Sequence, residues 1–310
     1  MTESLTTVEA NAVDMVQKIE WSRTRRDLFL KCPRAWYLRY GHQTYSSGIN
    51  EFQTSRRPWD LMLRAMKEIL VERLEDMREG KQWSPLLLEH QLKFSLQKQI
   101  KQTSHNISKR YFEALLRYAN HRFAMLWRCR IIRQLEQRKY PCWYVLDRTE
   151  SVPIGTRRIY ASPDLAVLIQ NRWHLVRFDM QSAPKKTSDE FEANAMVLWA
   201  KHHGGFPQRE YSYRLHTIGW RRGFWHTETF QPNKQSVKQC YKLLEYDCNA
   251  MLEVHQYAHS NLALLPLANS KKTCESCSFR ARCPGGENLV IARHEQTMLE
   301  LAQQSASSKA

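Results

Sequence analysis

The apolar positions of the chain recur at helical spacing over its first half. Between residues 58 and 137 they fall on one stripe of at least three segments, which predicts core-facing amphipathic helices. Before these segments, a helix is predicted over residues 21–40, capped by Ser22 and interrupted by Pro33, the residue after Cys32. The first half of the chain is therefore predicted to be largely helical.

The pattern then changes to strand-like alternation. Three stretches between residues 141 and 184 are separated by short polar or glycine-containing turns and predict a strand meander. A helix follows, with Thr187 as its N-cap and Gly204 as its terminator. A strand pair around residues 219–223 and a long amphipathic helix over residues 233–260 complete the predicted elements.

These elements indicate one domain between two tails. Residues 1–20 are predicted to be a loose N-terminal tail, and residues 291–310 a C-terminal helix and tail. The predicted domain covers residues 21–290. Within it, residues 55–140 form a helical insertion, residues 141–232 supply the core strands and a helix, and residues 233–290 hold the C-terminal helix and a cysteine-rich segment.

Charge narrows the class of partner. The chain has 47 Lys and Arg against 31 Asp and Glu, a formal net charge of +16. Such an excess attracts nucleic acid, although it also keeps a protein soluble or docks it on an acidic partner. The sequence holds no apolar run long enough to cross a bilayer, and its start lacks the order of a signal peptide. We therefore expect a cytoplasmic protein with no membrane contact, in which thiols stay reduced.

Three of the eight cysteines are clustered near the C-terminus. Cys274, Cys277 and Cys283 have C-x2-C-x5-C spacing, and two thiolates three residues apart can converge on one metal. Cys32 is the candidate fourth ligand, because it lies at a helix break and, like Cys283, directly precedes a proline. The other cysteines are interpreted as small buried hydrophobes. Spacing alone fits both a zinc site and a [4Fe-4S] cluster.

The segments "SRTRRDLFLKCPRAWYLRY" and "CESCSFRARC" resemble the split cysteine pattern of RecB-like PD-(D/E)XK nucleases that carry an iron-sulfur staple. This group includes CRISPR-adaptation nucleases, AddB and exonuclease V. The resemblance implies an α/β fold with a restriction-endonuclease-like core, in which helices flank a central mixed sheet, and a helical N-terminal insertion. It also implies that Cys32, Cys274, Cys277 and Cys283 ligate a [4Fe-4S] cluster that joins the two ends of the domain, with Zn²⁺ as the alternative.

The same resemblance implies a hydrolytic site of two carboxylates and a lysine. Asp164, after Pro163 in "YASPDLAVLIQ", and Asp179, near the end of "WHLVRFDMQSAP", match the two carboxylates. With the carbonyl of Met180 they would hold Mg²⁺ or Mn²⁺, which prefer such oxygen ligands. Gln181 stands where the family has its lysine. Loss of a preorganised electrostatic group of this sort typically costs about 100- to 1000-fold in rate.

Other departures from the family pattern point the same way. The predicted helix "LMLRAMKEIL" lacks a histidine that the family often has there, and Ala195 and Trp199 occupy the positions of a Gln-x3-Tyr motif. Lys185 or Lys186 is the remaining candidate for a displaced catalytic lysine. The alternatives are structural: Asp164 as a turn or edge residue after Pro163, and Asp179 in an ion pair with Arg177 or a neighbouring basic residue. The predicted hydrolytic site is therefore weakened or lost.

The segment "GWRRGFWH" alternates cations with large rings, a mixture that nucleic-acid grooves use on phosphates and unpaired bases. Arg221, Arg222 and Trp225 are the predicted DNA contacts, with a core-facing Trp225 as the alternative. The leading hypothesis is a DNA-binding protein of the RecB-like group, acting on DNA ends or single strands with protein partners in a repair, defence or mobility complex. An active Mg²⁺- or Mn²⁺-dependent DNA nuclease and a structural protein-interaction subunit are the alternatives.

Overall fold

The computed structural model describes residues 19–41, 57–103, 106–180, 186–268, 270–275, 277–280 and 283–284. For residues 186–189 it describes the backbone only. The chain divides into two compact units. The terminal unit consists of residues 1–54 and 246–310, and the central unit consists of residues 55–245. Each unit is described by itself.

Helices and strands alternate along the described residues. The helices are α1 (Arg23–Lys31), α2 (Pro33–Tyr40), α3 (Pro58–Arg78), α4 (Pro85–Lys101), α5 (Lys109–Leu126), α6 (Arg130–Glu136), α7 (Lys186–His203), α8 (Lys234–Ser260) and α9 (Lys271–Glu275). The strands are β1 (Glu20–Ser22), β2 (Trp143–Val145), β3 (Val152–Ile154), β4 (Arg157–Tyr160), β5 (Leu165–Ile169), β6 (Arg172–Asp179), β7 (Tyr213–Arg221) and β8 (Phe224–Phe230).

The terminal unit begins with two short helices joined at one extended residue. The Ser22 side chain accepts a hydrogen bond from the backbone N–H of Arg25 and so caps α1. Cys32 is extended, and Pro33 opens α2, where its missing N–H costs nothing. The predicted cap and the predicted interruption are both confirmed. Trp21 is almost fully buried and donates its indole N–H to Asp247 on α8.

The central unit is built on a five-stranded mixed sheet in the order β2-β5-β6-β7-β8. Strands β6 and β7 are parallel, while the other neighbouring pairs are antiparallel. The parallel pair requires a crossover connection, which α7 supplies. The structure is thus α/β, with a mixed sheet flanked by helices, as expected.

The predicted meander is interrupted. Strands β3 and β4 pair with each other and are not part of the five-stranded sheet. The connection between them contains Gly155 at a positive φ of 61°, which favours glycine. Two of the predicted strand-like stretches therefore each contain two short strands, a division that apolar alternation alone does not reveal.

The two faces of the sheet carry different partners. Val176 and Phe178 on β6 point into the core that the sheet forms with α3, α4 and α5. Successive strand residues point to opposite faces. Arg177, between them, accordingly lies on the face covered by α7, where its Nε is 3.1 Å from Glu192. This alternation brings a buried ion pair close to the start of β5.

The later elements follow the sequence closely. Helix α7 begins at Lys186, so the prediction of Thr187 as its N-cap is wrong: Thr187 lies inside the helix, and its side chain lies outside the described residues. The helix ends at His203, and the predicted terminator Gly204 follows with a positive φ of 82°. The β7–β8 pair and the long helix α8 are confirmed. No helix among the described residues is both long and apolar enough to span a membrane.

Candidate functional site

Asp164 lies at the entrance to β5 in the central unit. Its side chain is only 1% exposed. Its backbone N–H donates to the carbonyl of Val176 on β6 at 2.8 Å, which fixes the residue against the neighbouring strand. An ionised carboxylate at this depth requires donors for both of its oxygens.

Four donors satisfy the Asp164 carboxylate. Oδ1 accepts from Lys67 Nζ and from Arg148 Nε, the latter at 2.5 Å. Oδ2 accepts from Arg148 Nη2 at 2.6 Å and from the backbone N–H of Phe178 at 2.7 Å. A carboxylate offers about four lone-pair sites. These four hydrogen bonds are therefore sufficient to use the full acceptor capacity of the side chain.

The cations come from three separate elements. Lys67 projects from the buried side of α3, between the core residues Leu63 and Leu70. Arg148 follows β2 and also donates to the carbonyl of Phe178 at 2.6 Å. Arg177 on β6 contributes a third guanidinium, with Nη1 3.7 Å from Asp164 Oδ1.

The electrostatics of the site follow from this arrangement. Burial alone would raise the pKa of the Asp164 carboxyl, but Arg148, Lys67 and Arg177 outweigh burial and hold that pKa far below its usual range. Burial, followed by the charge on Arg148, lowers the pKa of Lys67 to about 7, although Asp164 opposes this shift. Because Arg148 already neutralises Asp164, the attraction of the carboxylate for a protonated Lys67 is weaker than the cost of removing that charge from water.

The second predicted carboxylate lies at the end of β6. Asp179 is partly exposed. Burial lowers the pKa of Arg148, but Asp164, and after it Glu192 and Asp179, raise that pKa overall. Three carboxylates thus act on one guanidinium.

The carbonyl of Met180, predicted as a metal ligand, accepts a hydrogen bond from Arg122 Nη1 at 3.3 Å.

Several residues named from the family pattern do not reach this site or cannot be placed. Gln181 and Lys185 lie outside the described residues, as does the side chain of Lys186. Ala195 and Trp199 are buried in α7, and the Trp199 indole donates to the carbonyl of Glu150 at 3.0 Å. The structure therefore brings together Asp164, Asp179 and cations that the family pattern does not name.

The cysteine pattern lies within the terminal unit. Cys32, Cys274, Cys277 and Cys283 all line one cavity of about 200 Å³. They pack against a small core that includes Phe279. Burial raises the pKa of the Cys277 thiol, and the other three cysteines raise it further. The structure thus brings the predicted fourth ligand to the clustered three.

Arg34 holds the chain around this cavity. Its guanidinium donates to the carbonyls of Leu265 and Ala263, each at 2.7 Å, and to the carbonyl of Pro284. Burial raises the pKa of the Cys283 thiol, while the hydrogen bond and charge of Arg34 act in the opposite direction. One buried side chain therefore links α2 to the segments that precede and follow the clustered cysteines.

The donor set is one that both an iron-sulfur cluster and a zinc site use. Four thiols are the ligands that such clusters use. The cavity that the four cysteines help to line is far larger than the about 15 Å³ that one water molecule needs. Among the described residues, no group of three or more His, Cys, Asp or Glu side chains is arranged to hold a single metal ion. The arrangement is four cysteines around a shared cavity.

Arg221, Arg222 and Trp225 belong to the β7–β8 hairpin. Arg222 and Gly223 form its two-residue turn with positive φ values of 48° and 87°, as in a type I′ turn. Both arginines are exposed. Trp225 is half-buried against the core and donates its indole N–H to the carbonyl of Arg122 at 2.8 Å. The neighbouring Phe224 is the more accessible ring, with 59% of its surface exposed.

Sequence reasoning did not assign Lys67, Arg148, Glu192 or Arg34 to a site, and it named Arg177 only as an alternative ion-pair partner of Asp179. Lys67 and Arg177 did carry a signal, because each is a charge that lies among the apolar, buried positions of its element. A charge in such a position is normally paired. Arg148 and Arg34 carried no comparable signal, since basic residues in loops and short helices are common.

The sequence was compared with protein-family models and with curated proteins. No protein-family model matches the sequence, and no curated protein matches it.

Proposed function

We propose that the chain is a DNA-binding protein of the RecB-like PD-(D/E)XK group whose hydrolytic site has been converted into an internal ion-pair network. In such a nuclease, the first carboxylate must present oxygen atoms to a divalent cation. In this chain, Lys67 and Arg148 supply positive charge to that carboxylate directly. The protein would then bind DNA without cutting it.

The observation that carries this proposal is the saturation of Asp164. Two oxygens accept four hydrogen bonds, three of them from the side chains of Lys67 and Arg148. A metal ion would have to displace Lys67 or Arg148 before it could bind. The carbonyl of Met180 is also engaged, by Arg122. The oxygens of Asp164 and Met180, two of the predicted metal ligands, thus already have donors.

A [4Fe-4S] cluster held by Cys32, Cys274, Cys277 and Cys283 is part of the proposal. The four thiols that line one cavity support a thiolate-bound group, and the resemblance favours a cluster over a single zinc ion. When bound, the cluster would supply a covalent link between chain segments that are distant in sequence. Arg34 would orient those segments, because it binds carbonyls on both sides of the clustered cysteines.

DNA as the partner is supported by charge. The net charge of +16 and the exposed Arg221 and Arg222 would favour contacts with phosphates. Further protein partners in a repair, defence or mobility complex remain part of the same proposal, on the strength of the resemblance alone.

One observation favours an active nuclease as the second candidate. Asp164, Glu192 and Asp179 all act on Arg148, whose own side chain is 40% exposed. If Arg148 swung out to solvent, a divalent cation could take its place between the carboxylates. In that case Arg148 would block a working site.

A cleavage assay separates the two candidates. The anaerobically purified protein is incubated with labelled single- and double-stranded DNA in Mg²⁺ or Mn²⁺, beside Asp179→Ala and Arg148→Ala. The proposal predicts binding but no cleavage by the unmodified protein or either variant, with binding that weakens steeply as salt rises.

Three outcomes would reject the proposal in different ways. Cleavage by the unmodified protein that disappears in Asp179→Ala would establish an active nuclease. Cleavage that appears only in Arg148→Ala would show a hydrolytic site blocked by that guanidinium, with its metal-binding capacity intact. Absence of DNA binding at low salt would leave the structural-subunit alternative.

A further inference from the structure

A cluster of rings lies on the surface of the central unit, near the end of β6. We name it the aromatic platform and define it by Trp59, Tyr118, His121 and Trp220. Trp59 meets Tyr118 edge-on at 5.9 Å between ring centroids, and His121 meets Trp220 edge-on at 6.0 Å. Tyr118 is 58% exposed. The platform therefore offers ring surface to solvent from α3, α5 and β7.

Arg122 lies between the two indoles of the platform. Its guanidinium carbon is 5.1 Å from the Trp59 ring centroid and 4.8 Å from that of Trp220, which are cation-π distances. The side chain is buried and donates to the carbonyl of Met180. Arg122 thus holds the rings in place and ties them to the chain that follows Asp179.

Exposed cations and one further ring flank the platform. Arg117 precedes Tyr118 on α5 and is four residues before His121, so that it shares a helix face with that histidine. The type I′ turn after β7 carries the exposed Arg222, and Phe224 follows with 59% of its surface exposed. This surface therefore presents both positive charges and accessible aromatic rings.

We propose that the aromatic platform, with Phe224, stacks unpaired bases of single-stranded DNA while Arg117, Arg221 and Arg222 contact its phosphates. This inference rests on the proposed DNA-binding function and specifies which form of DNA the protein prefers. Stacking on a ring needs a free base face, which a duplex keeps inside its own stack. A purely anionic partner would use the arginines and gain nothing from Tyr118 or Phe224.

The test compares rings with charges on two forms of DNA. Fluorescence anisotropy measures the affinity for a labelled oligothymidylate and for a duplex of the same length, using Tyr118→Ala, Phe224→Ala and Arg222→Ala. Each ring variant should weaken single-strand binding by about 5- to 100-fold, as expected for one lost base stack. Binding to the duplex should change by less than about twofold, whereas Arg222→Ala should weaken both complexes.

Tyr211→Ala is the matched control. Tyr211 is also 58% exposed but lies just before the opposite end of β7. The Tyr211→Ala variant should bind both DNA forms with the affinity of the unmodified protein. Tyr118→Phe should bind like the unmodified protein as well, because the ring is kept.

Three results would overturn the inference. Unchanged single-strand affinity in both ring variants would reject stacking. Equal losses on single strand and duplex would show a general defect. Displacement of the oligothymidylate by polyglutamate, with the same sensitivity to Tyr118→Ala, would assign the surface to an acidic polypeptide. The proposed function would fail separately, if the unmodified protein bound neither DNA form at low salt.

Discussion

Asp164 is the residue on which the candidate site depends most. Its carboxylate balances Lys67, Arg148 and Arg177 at a position that is almost closed to water. We expect Asp164→Asn to lower the free energy of unfolding by about 3 kcal/mol, because breaking a buried ion pair leaves cations without a counter-charge. Urea unfolding followed by circular dichroism measures this change.

Asp147→Asn is the control for that substitution. Asp147 is exposed, and its side chain accepts from the backbone N–H of Thr149, a role that asparagine can keep. Its stability should change by no more than about 0.5 kcal/mol. A carboxylate kept for metal binding is often a strained group whose removal stabilises the fold. An increase in stability for Asp164→Asn would therefore contradict the ion-pair account.

Residues with local signals could be predicted, and residues defined by distant contacts could not. Cys32 could be named because it lies at a helix break and, like Cys283, directly precedes a proline. The partners of Asp164 could not be named, because Lys67 and Arg148 belong to separate elements that only the folded chain brings together. Trp225 illustrates the same limit. Its sequence context left a DNA-contacting ring and a core-facing ring as alternatives, and only the folded chain shows that its indole N–H donates to the carbonyl of Arg122.

At the scale of elements, β6, β7 and β8 carry a polar chain on one sheet face. His174 Nδ1 and His216 Nε2 are 2.9 Å apart, and His216 Nδ1 lies 3.2 Å from Thr229 Oγ1. Burial, aided by nearby arginines, lowers the pKa of His174 to about 4. Burial, aided by His174 and then Arg214, lowers the pKa of His216 to about 3. Both rings are therefore neutral in the folded protein near neutral pH.

This pair predicts a pH dependence of stability. A histidine in the unfolded chain titrates at about pH 6.5, so below this pH the unfolded chain takes up protons that the folded chain does not. The free energy of unfolding should therefore be highest above about pH 6.5 and should decline as the pH falls toward 4. Thermal unfolding from pH 8 to 4.5 measures the decline.

The double variant His174→Gln/His216→Gln should flatten that decline. His226→Gln, a substitution of an exposed histidine on β8, should leave it unchanged. If the double variant lost stability with falling pH as steeply as the unmodified protein, the pair would not be the cause.

Elements with strong local periodicity were predictable. Helices α1, α2 and α8 and the β7–β8 hairpin follow from capping residues, proline, glycine and apolar spacing. The separate β3–β4 hairpin was not predictable, because its strands are only three and four residues long. Over so few residues, alternation cannot distinguish two short strands from parts of longer ones.

At the scale of the whole molecule, the proposed cluster would connect Cys32 to the clustered cysteines 274–283, which are distant from it in sequence. Closing so long a loop restricts the unfolded chain and thereby favours folding. We expect Cys32→Ser to lose most of its bound iron and to unfold at a lower temperature. Iron analysis of the anaerobically purified protein, with thermal unfolding beside it, measures both effects.

Cys142→Ser serves as the control for the cluster. Cys142 is only partly buried and lies just before β2 in the central unit. Its substitution should leave the iron content unchanged. Full iron content in Cys32→Ser would remove that residue from the ligand set, and zinc without iron in the unmodified protein would reject the cluster.

The most direct test of the central claim, that cationic side chains hold the position of a catalytic metal, is a Mn²⁺ titration followed by electron paramagnetic resonance. The unmodified protein is compared with Asp164→Asn and Asp179→Asn. The account predicts no tightly bound Mn²⁺ that depends on either aspartate, because Lys67 and Arg148 already donate to Asp164. One tightly bound Mn²⁺ per chain, lost in both variants, would contradict it.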